Sequence, residues 1–552
     1  MRYLPQLIFL FACSLHSAER PNILFAIADD WGWPHAGSYG DPVVKTPTID
    51  GLATRGTVFD RFYVACPICM PNRIAILTGR MPSVNGTRHN GIPLALDAVT
   101  YVDVLRAGGY HTAMVGKCHA QNITGHPLDE ADIFPAGASG TPPPEALSDA
   151  CRTRRTGPEY EAELMPLWHA DPGREGPDLP YYGFDHVRFA NGHADHVQGH
   201  YTGWLNERAG GNGDALRGPA NALTSDVTAP QAWRTAVPEE LYPTAYIAGQ
   251  SRDFIDRHLN ERPDDPFFLH CSFTDPHHPF TPPGRYWDMY DPADMPLPPS
   301  FAAREENEPE MLKRLRREQG QGTGDRLGPL PFCASADEVR QILALTYGMI
   351  SCIDDAIAGL LAHLEACGLT ENTVVIFTSD HGDFMGDHGL MLKHGLHYEG
   401  VLRVPFIWAD PARIGGKRTD LPGSSIDIGA MILARAGLAS FNGNQGVPLL
   451  DVLDGKAETP RRGILIEEDE LGAHLGHEHG LRTRSYIEDN WRLTLWQGMD
   501  GGQLFDRNTD PHEMRNLWSD VEHVIKKGEM TESMLREAIR LGDTAPYATH
   551  VA

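Results

Sequence analysis

Long apolar runs are scarce in this chain. Beyond the N-terminus no uninterrupted stretch of about 18 apolar residues occurs, so no transmembrane segment is expected. Cysteine is scarce too: nine among 552 residues are too few for a disulfide scaffold. Export would still permit pairs among Cys118, Cys151, Cys271, Cys333, Cys352 and Cys367. Positive charge is in deficit, with 47 Lys and Arg against 74 Asp and Glu and a formal net charge of -27. Such a surface repels nucleic acid and anionic membranes, which excludes both as general partners and means that any bound anion needs a local basic site. No internal repeat is evident. What is present is 41% hydrophobic content over a length that suits one large domain and a smaller one.

The first residues, MRYLPQLIFLFACSLHSAER, place Arg2 before an apolar run from Leu4 to Cys13 and small residues through Ala18. That pattern reads as a signal peptide over 1-18, too short to span a bilayer. Cleavage after Ala18 leaves a soluble exported protein, in a periplasmic, secreted or lysosome-like compartment. Leu10-Phe11-Ala12-Cys13 is an imperfect lipoprotein box, which makes anchoring at Cys13 the alternative.

Four apolar runs share one design, a buried strand ending in a polar cluster. Ile23 to Ile27 leads to Asp29 and Asp30, Ala113 to Val115 leads to Lys117 and His119, Phe267 to Phe273 leads to Asp275, His277 and His278, and Val374 to Phe377 leads to Asp380, His381 and Asp383. Alternation of such runs with helical patterns at Ile49 to Arg55 and Ile353 to Cys367 predicts an α/β fold with a large, mostly parallel sheet flanked by helices. Ligands in such folds lie beyond the carboxyl ends of the strands, so the four clusters can converge on one edge. Asp129 to Thr235, rich in Gly, Pro, Asp and His, reads as long loops and small elements, and Ala303 to Arg326 as a solvated helix and loop. From 458 the runs shorten into an antiparallel sheet and a helix over Val521 to Leu541. The domain division is therefore 19-457 and 458-552.

Asp29 and Asp30 are adjacent carboxylates at the end of an apolar strand, where they repel unless a cation compensates them. An isolated Asp-Asp pair is more often a solvated turn, but the second acidic strand end at Asp380-His381-Gly382-Asp383 favours a shared divalent metal. Cys69-Met70-Pro71-Asn72-Arg73 precedes Ile74 to Gly79. Pro71 suits the first turn of a helix, so Cys69 falls at an N-terminus that attracts anions, with Arg73 one turn on. A lone Cys is usually a small buried hydrophobe; the Pro and Arg at fixed offsets argue against that here.

These motifs resemble the type I, formylglycine-dependent sulfatase family of the alkaline phosphatase superfamily. The family carries C-x-P-S/A-R followed by T-G, matched by Cys69, Pro71, Arg73, Thr78 and Gly79, with Asn72 in place of Ser or Ala. Pro21-Asn22-Ile23, Thr46-Pro47-Thr48-Ile49-Asp50, Gly116-Lys117-Cys118-His119, Asp275-Pro276-His277-His278-Pro279, Ser379-Asp380-His381-Gly382 and Lys393 through Tyr398-Glu399-Gly400 to Arg403-Val404-Pro405 also recur in family order. The tail from Leu504 to Leu517 is similar as well, so the resemblance covers essentially the mature chain.

The resemblance implies an alkaline phosphatase-like sheet with a smaller C-terminal α+β domain. It implies formylglycine made from Cys69 by a maturation enzyme, and a divalent metal, Ca²⁺ before Mg²⁺, held by Asp29, Asp30, Cys69, Asp380 and His381. Hydrated formylglycine attacks sulfur, and its second hydroxyl releases sulfate. Arg73 then orients the nucleophile, Lys117 and Lys393 neutralise sulfate oxygens, His277 protonates the leaving oxygen, and His119 takes a proton in release. His278 is the alternative acid. His89, Asn90, His193 and His278 are candidate substrate-binding residues, the first three as against ordinary loop positions. The substrate implied is an organic sulfate, on a saccharide or small molecule. A phosphonate monoester hydrolase or phosphodiesterase of the same superfamily is the alternative, and a binding protein that never converts Cys69 is a third reading.

Overall fold

The computed structural model describes residues 20–126, 154–304, 307–471, 475–477 and 480–550. The predicted leader over 1-18, Cys13 and Cys151 lie outside them. The central sheet has eight strands: β1 (Asn22–Asp29), β2 (Thr57–Phe59), β3 (His111–Gly116), β4 (His186–Phe189), β5 (Phe267–Pro276), β6 (Thr373–Ser379), β7 (Phe406–Ala409) and β8 (Lys417–Thr419). Their spatial order is β8-β2-β7-β6-β1-β5-β3-β4. β1 lies between β5 and β6 and runs parallel to both. β3 continues the parallel set beside β5 and adds β4. Only β7 runs against its neighbours, β6 and β2.

The central strands are buried along their whole length, as continuous apolar runs require when both faces of a sheet are covered. One face carries Leu24, Ala26, Leu269 and Phe377 against helix α3 (Pro243–Glu261) and the long helix α4 (Ala336–Ala366). The other carries Ile23, Phe25, Ile27 and Ile376 against α2 (Cys69–Thr78) and α5 (Asp427–Arg435). α4 is long and apolar enough to cross a membrane by length and composition, yet 78% of its apolar window is packed inside the fold. Its start is sharp because Ser335 and Glu338 form a reciprocal capping box.

Two expectations need correction. β4 lies within the stretch read as long loops and small elements inserted on the sheet; its four residues, His-Val-Arg-Phe, are too few to display a period, and pairing with β3 makes them part of the central sheet itself. The solvated helix expected between Ala303 and Arg326 is Glu310–Gln321, but Met311, Leu312 and Leu315 bury one face. No disulfide occurs among the described residues, and Cys118, Cys271, Cys333, Cys352 and Cys367 are free thiols.

The C-terminal part is a four-stranded antiparallel meander, β9 (Gly463–Glu470), β10 (Leu481–Glu488), β11 (Trp491–Trp496) and β12 (Gly502–Asp506), followed by α6 (Val524–Arg540). Arg492 on β11 is fully buried and meets Glu513 at 2.6 Å. Glu513→Ala strands that guanidinium, and the expected cost is about 3–5 kcal/mol, read as a lower midpoint in denaturant. An unchanged midpoint contradicts this.

Candidate active site

All four polar clusters meet at the carboxyl edge of the central strands. β1 delivers Asp29 and Asp30, β3 leads to Lys117 and His119, β5 leads to His277 and His278, and β6 leads to Asp380 and His381. Each of these side chains is buried. β3 and β5 approach so closely that a Cβ on Gly116 would lie 1.8 Å from the Ser272 carbonyl oxygen, which only glycine tolerates. Asp30 and His119 take positive φ values of 70° and 58°, turning their side chains off the strand ends.

Cys69 is the first residue of α2, with Pro71 inside the first turn, as the sequence implied. Ligand atoms of Asp29, Cys69, Asp380 and His381 all lie within 4.8 Å of one another. His381 Nδ1 donates to Asp30 Oδ1 at 2.8 Å and is 3.0 Å from the Gly382 carbonyl, while Nε2 faces Cys69 Sγ at 3.1 Å. With the proton on Nδ1, the Nε2 lone pair points into the cluster. Asp30 is less central than Asp29, because Lys393 Nζ grips its two oxygens at 2.7 and 2.6 Å.

Cations surround these carboxylates. Lys117 bonds Asp29, and Arg73 bonds Asp380 Oδ2 at 2.8 Å, reaches within 3.6 Å of Asp29 and donates to Ser272 Oγ at 2.8 Å. Burial raises the Asp29 pKa, but Lys117 and Arg73 outweigh it and hold the carboxyl well below its ordinary value. Burial leaves Asp380 raised, with Arg73 opposing. Burial works to lower Lys393, but Asp30 and Cys69 raise it, so it stays charged. The same contest, decided by Asp380 and Cys69, lifts His381 well above the usual imidazole range, so Nε2 also holds a proton until a cation entering the cluster displaces it and frees the lone pair.

The remaining histidines form a stack. The His193 and His277 rings are nearly parallel with centroids 3.5 Å apart, and the His278 ring lies 3.9 Å from that of His277. His193 Nε2 accepts from Lys117 Nζ at 2.8 Å. His277 Nδ1 donates to the His278 carbonyl, which leaves Nε2 facing Asp30 Oδ2 at 3.4 Å. Burial, then His193 and His278, hold His277 well below its ordinary pKa. Burial and Lys117 do the same to His119.

His193 is 23% exposed and His89 16%, so the cluster opens to solvent on their side. Asn90 Oδ1 accepts from the Met70 backbone N–H at 3.2 Å, directly beside Cys69. His89 instead turns to Glu470, at 3.1 Å.

Several neighbours were not read from the sequence. Glu163 accepts from the N–H groups of His119, Ala120 and Gln121 at 2.6, 3.0 and 3.0 Å, and burial pushes its pKa up to about 7. It sits in an aperiodic segment with no signal to find it. β9 ends Glu467-Glu468-Asp469-Glu470, four acids that are all buried. Glu468 holds Gly395 N and His397 Nε2 at 2.8 and 2.7 Å, and Glu470 holds His394 Nδ1 at 2.6 Å. The meander thus braces the loop that presents Lys393.

The sulfatase family model matches residues 21–151 and 154–438. The chain belongs to the sulfatase family. A second model, for the C-terminal part of N-sulphoglucosamine sulphohydrolase, matches residues 386–539, spanning the Lys393 loop and the meander. The sulfatase is 27% identical over 529 residues to an arylsulfatase of Clostridium perfringens, covering 94% of each chain. It is 23% identical over 583 residues to the N-acetylglucosamine-6-O-sulfatase of Bacteroides thetaiotaomicron, covering 96% of this chain and 88% of the relative. The phosphonate monoester hydrolase of Agrobacterium radiobacter shares the fold at a TM-score of 0.71 and 23% identity, over 95% and 96% of the two chains. The fold is alkaline phosphatase-like, and family membership with arylsulfatase relatives makes the protein a sulfuric ester hydrolase.

Proposed function

We propose that this sulfatase hydrolyses a sulfate ester on a saccharide, using formylglycine made from Cys69 by a maturation enzyme and a bound Ca²⁺. The observation that carries this is the gathering of Cys69, Asp29, Asp380 and His381 at one point, ringed by Lys117, Lys393 and Arg73. The residues fit a hard cation. Asp29 Oδ1 is buried without a hydrogen-bond partner, and the protein donors are mainly carboxylate oxygens. Asp29, Asp380 and His381 would hold the ion together with residue 69, with Asp30 completing the set from beside Lys393; Mg²⁺ is the less favoured ion. A saccharide is supported by the relative that acts as an N-acetylglucosamine-6-O-sulfatase. The leader over 1-18 is in keeping with an exported enzyme.

The hydrate of formylglycine supplies two hydroxyls on one carbon, one to attack sulfur and one to expel sulfate. Ca²⁺ supplies the positive charge that lets a sulfate approach Asp29 and Asp380. Arg73 orients residue 69 from one turn along α2, and the Lys117 and Lys393 ammonium groups neutralise sulfate oxygens as charge shifts. His119, neutral at ordinary pH, accepts a proton at release. His277 Nε2 protonates the leaving oxygen, with His278 in reserve. His89, Asn90 and His193 border the entrance as substrate-binding residues.

Because Nδ1 of His277 is committed to a carbonyl, Nε2 carries a proton only in the imidazolium. The depressed pKa therefore predicts that kcat/KM for a sugar sulfate goes on rising as pH falls through the ordinary imidazole value of about 6.5, with no plateau there. His277→Ala should lose ~10²–10⁴-fold on a sugar sulfate but under about 10-fold on 4-nitrophenyl sulfate, whose phenolate leaves without a proton. Equal losses on both esters contradict the acid role.

Turnover of an aryl sulfate, an aryl phosphonate and a panel of sulfated monosaccharides tests the function itself. The expected order places the sulfates first. A large preference for the phosphonate overturns the reading in favour of a phosphonate monoester hydrolase or phosphodiesterase.

A further inference from the structure

Asn72 stands where the resemblance leads one to expect Ser or Ala, and its surroundings give that difference a purpose. It is fully buried in the first turn of α2, three residues past Cys69. Its Oδ1 accepts from Ala65 N at 3.0 Å and from Ser425 Oγ at 2.7 Å, with Cys66 N at 3.4 Å. Its Nδ2 donates to the backbone carbonyl of Asp380. One amide thus ties the segment before α2, the turn before α5 and the end of β6 to the helix that carries residue 69.

The two ends of this tether are not equivalent. Ala65 N also donates to Ser425 Oγ at 2.8 Å, so it keeps a partner if Asn72 is lost. Asp380 is different, because its carboxylate has several duties at once. Oδ2 takes Arg73 at 2.8 Å, while Oδ1 accepts from Asp30 N at 3.2 Å and His381 N at 2.8 Å. Its position relative to α2 therefore fixes the spacing of the whole cluster. Alanine at 72 offers no donor to the Asp380 carbonyl, and serine has a single short hydroxyl that cannot serve both ends.

We propose that Asn72 is a positioning residue which sets the Asp380 carboxylate, and through it the metal donors, against residue 69. The inference rests on the proposed function. It also separates two effects of the Ser-to-Asn difference. Cys69 is 3% exposed within a helix, so the maturation enzyme has to act on the unfolded chain and reads only the local sequence, whereas the tether exists only in the fold.

The test compares Asn72→Ala, Asn72→Ser and Ser425→Ala with the full-length wild type. Three readouts are used: the converted fraction of residue 69 by peptide mass, Ca²⁺ affinity by calorimetry, and kcat and KM for 4-nitrophenyl sulfate per converted molecule. Both Asn72 variants should convert at least as well as wild type, bind Ca²⁺ about 10–100-fold more weakly, and lose kcat with KM changed by under about 3-fold. Ser425→Ala, which leaves the Asp380 end intact, should lose far less Ca²⁺ affinity. Wild-type Ca²⁺ affinity and kcat in converted Asn72→Ala or Asn72→Ser overturn the proposal. So does a loss in Ser425→Ala equal to theirs, which would reduce Asn72 to general packing. If Asn72→Ala does not fold, Asn72→Ser decides. A Cys69→Ala control that retains full turnover would sink the proposed function itself, a result distinguishable from any of these.

Discussion

Cys69→Ala is expected to lower kcat for any sulfate ester on the order of 10⁴-fold or more, because it removes outright what we propose is the precursor of the nucleophile. The fold should persist. Cys69 begins a helix whose later residues Ile74, Ile76 and Leu77 are packed in the core, and the change removes one sulfur atom from the polar end. Cys69→Ser is the sharper variant. It keeps a hydroxyl but offers one where the hydrate offers two, so it can be sulfated without a second hydroxyl to expel sulfate. It should show at most a single turnover. Sustained turnover by either variant, measured on 4-nitrophenyl sulfate with protein of native circular dichroism, contradicts the assignment of residue 69.

Asp29→Asn carries the second large effect. Asp29 is fully buried between Lys117 and Arg73, and its Oδ1 has no hydrogen-bond partner, which leaves it for the proposed metal. The amide keeps the shape but removes the charge, so Lys117 and Arg73 lose their compensating anion and the donor set loses its least protonated carboxylate. The expected result is a fall in kcat of ~10²–10³-fold, with Ca²⁺ binding weakened in the same variant. Chelation of the wild type should mimic the loss and Ca²⁺ should restore it. Activity unchanged by both the substitution and a chelator would refute the metal site.

Much of this site was legible because its chemistry sits at strand ends. Buried parallel strands appear as continuous apolar runs, and the polar residue that stops each run marks the edge where ligands lie. Asp29, Lys117, His277 and Asp380 were found in this way, and they meet in space as that rule requires. The Cys69 helix was legible from Pro71. Less was available where structure depends on distant partners. β7 runs against its neighbours, yet Phe406 to Ala409 has the same apolar character as a parallel strand, and its direction comes from the connection, not from its composition. β9 ends in four acids whose burial nothing in the local sequence signals. They are buried because Ser83, Gly395, His397, Arg484, Asp469's partner Arg88, and the Glu470 partners His89 and His394 arrive from elsewhere in the chain. Glu163 had no local signal, since its role is to accept three backbone N–H groups of the His119 loop.

The central claim is that Cys69 is not the working side chain but its precursor. The most direct measurement is the mass of the peptide containing residue 69, taken from active protein. Conversion of the thiol to the aldehyde predicts a loss of about 18 Da; the hydrate regains about 18 Da of water and matches cysteine in nominal mass, but unlike cysteine it does not take up a thiol-alkylating reagent. An unshifted cysteine peptide from fully active enzyme would contradict the account.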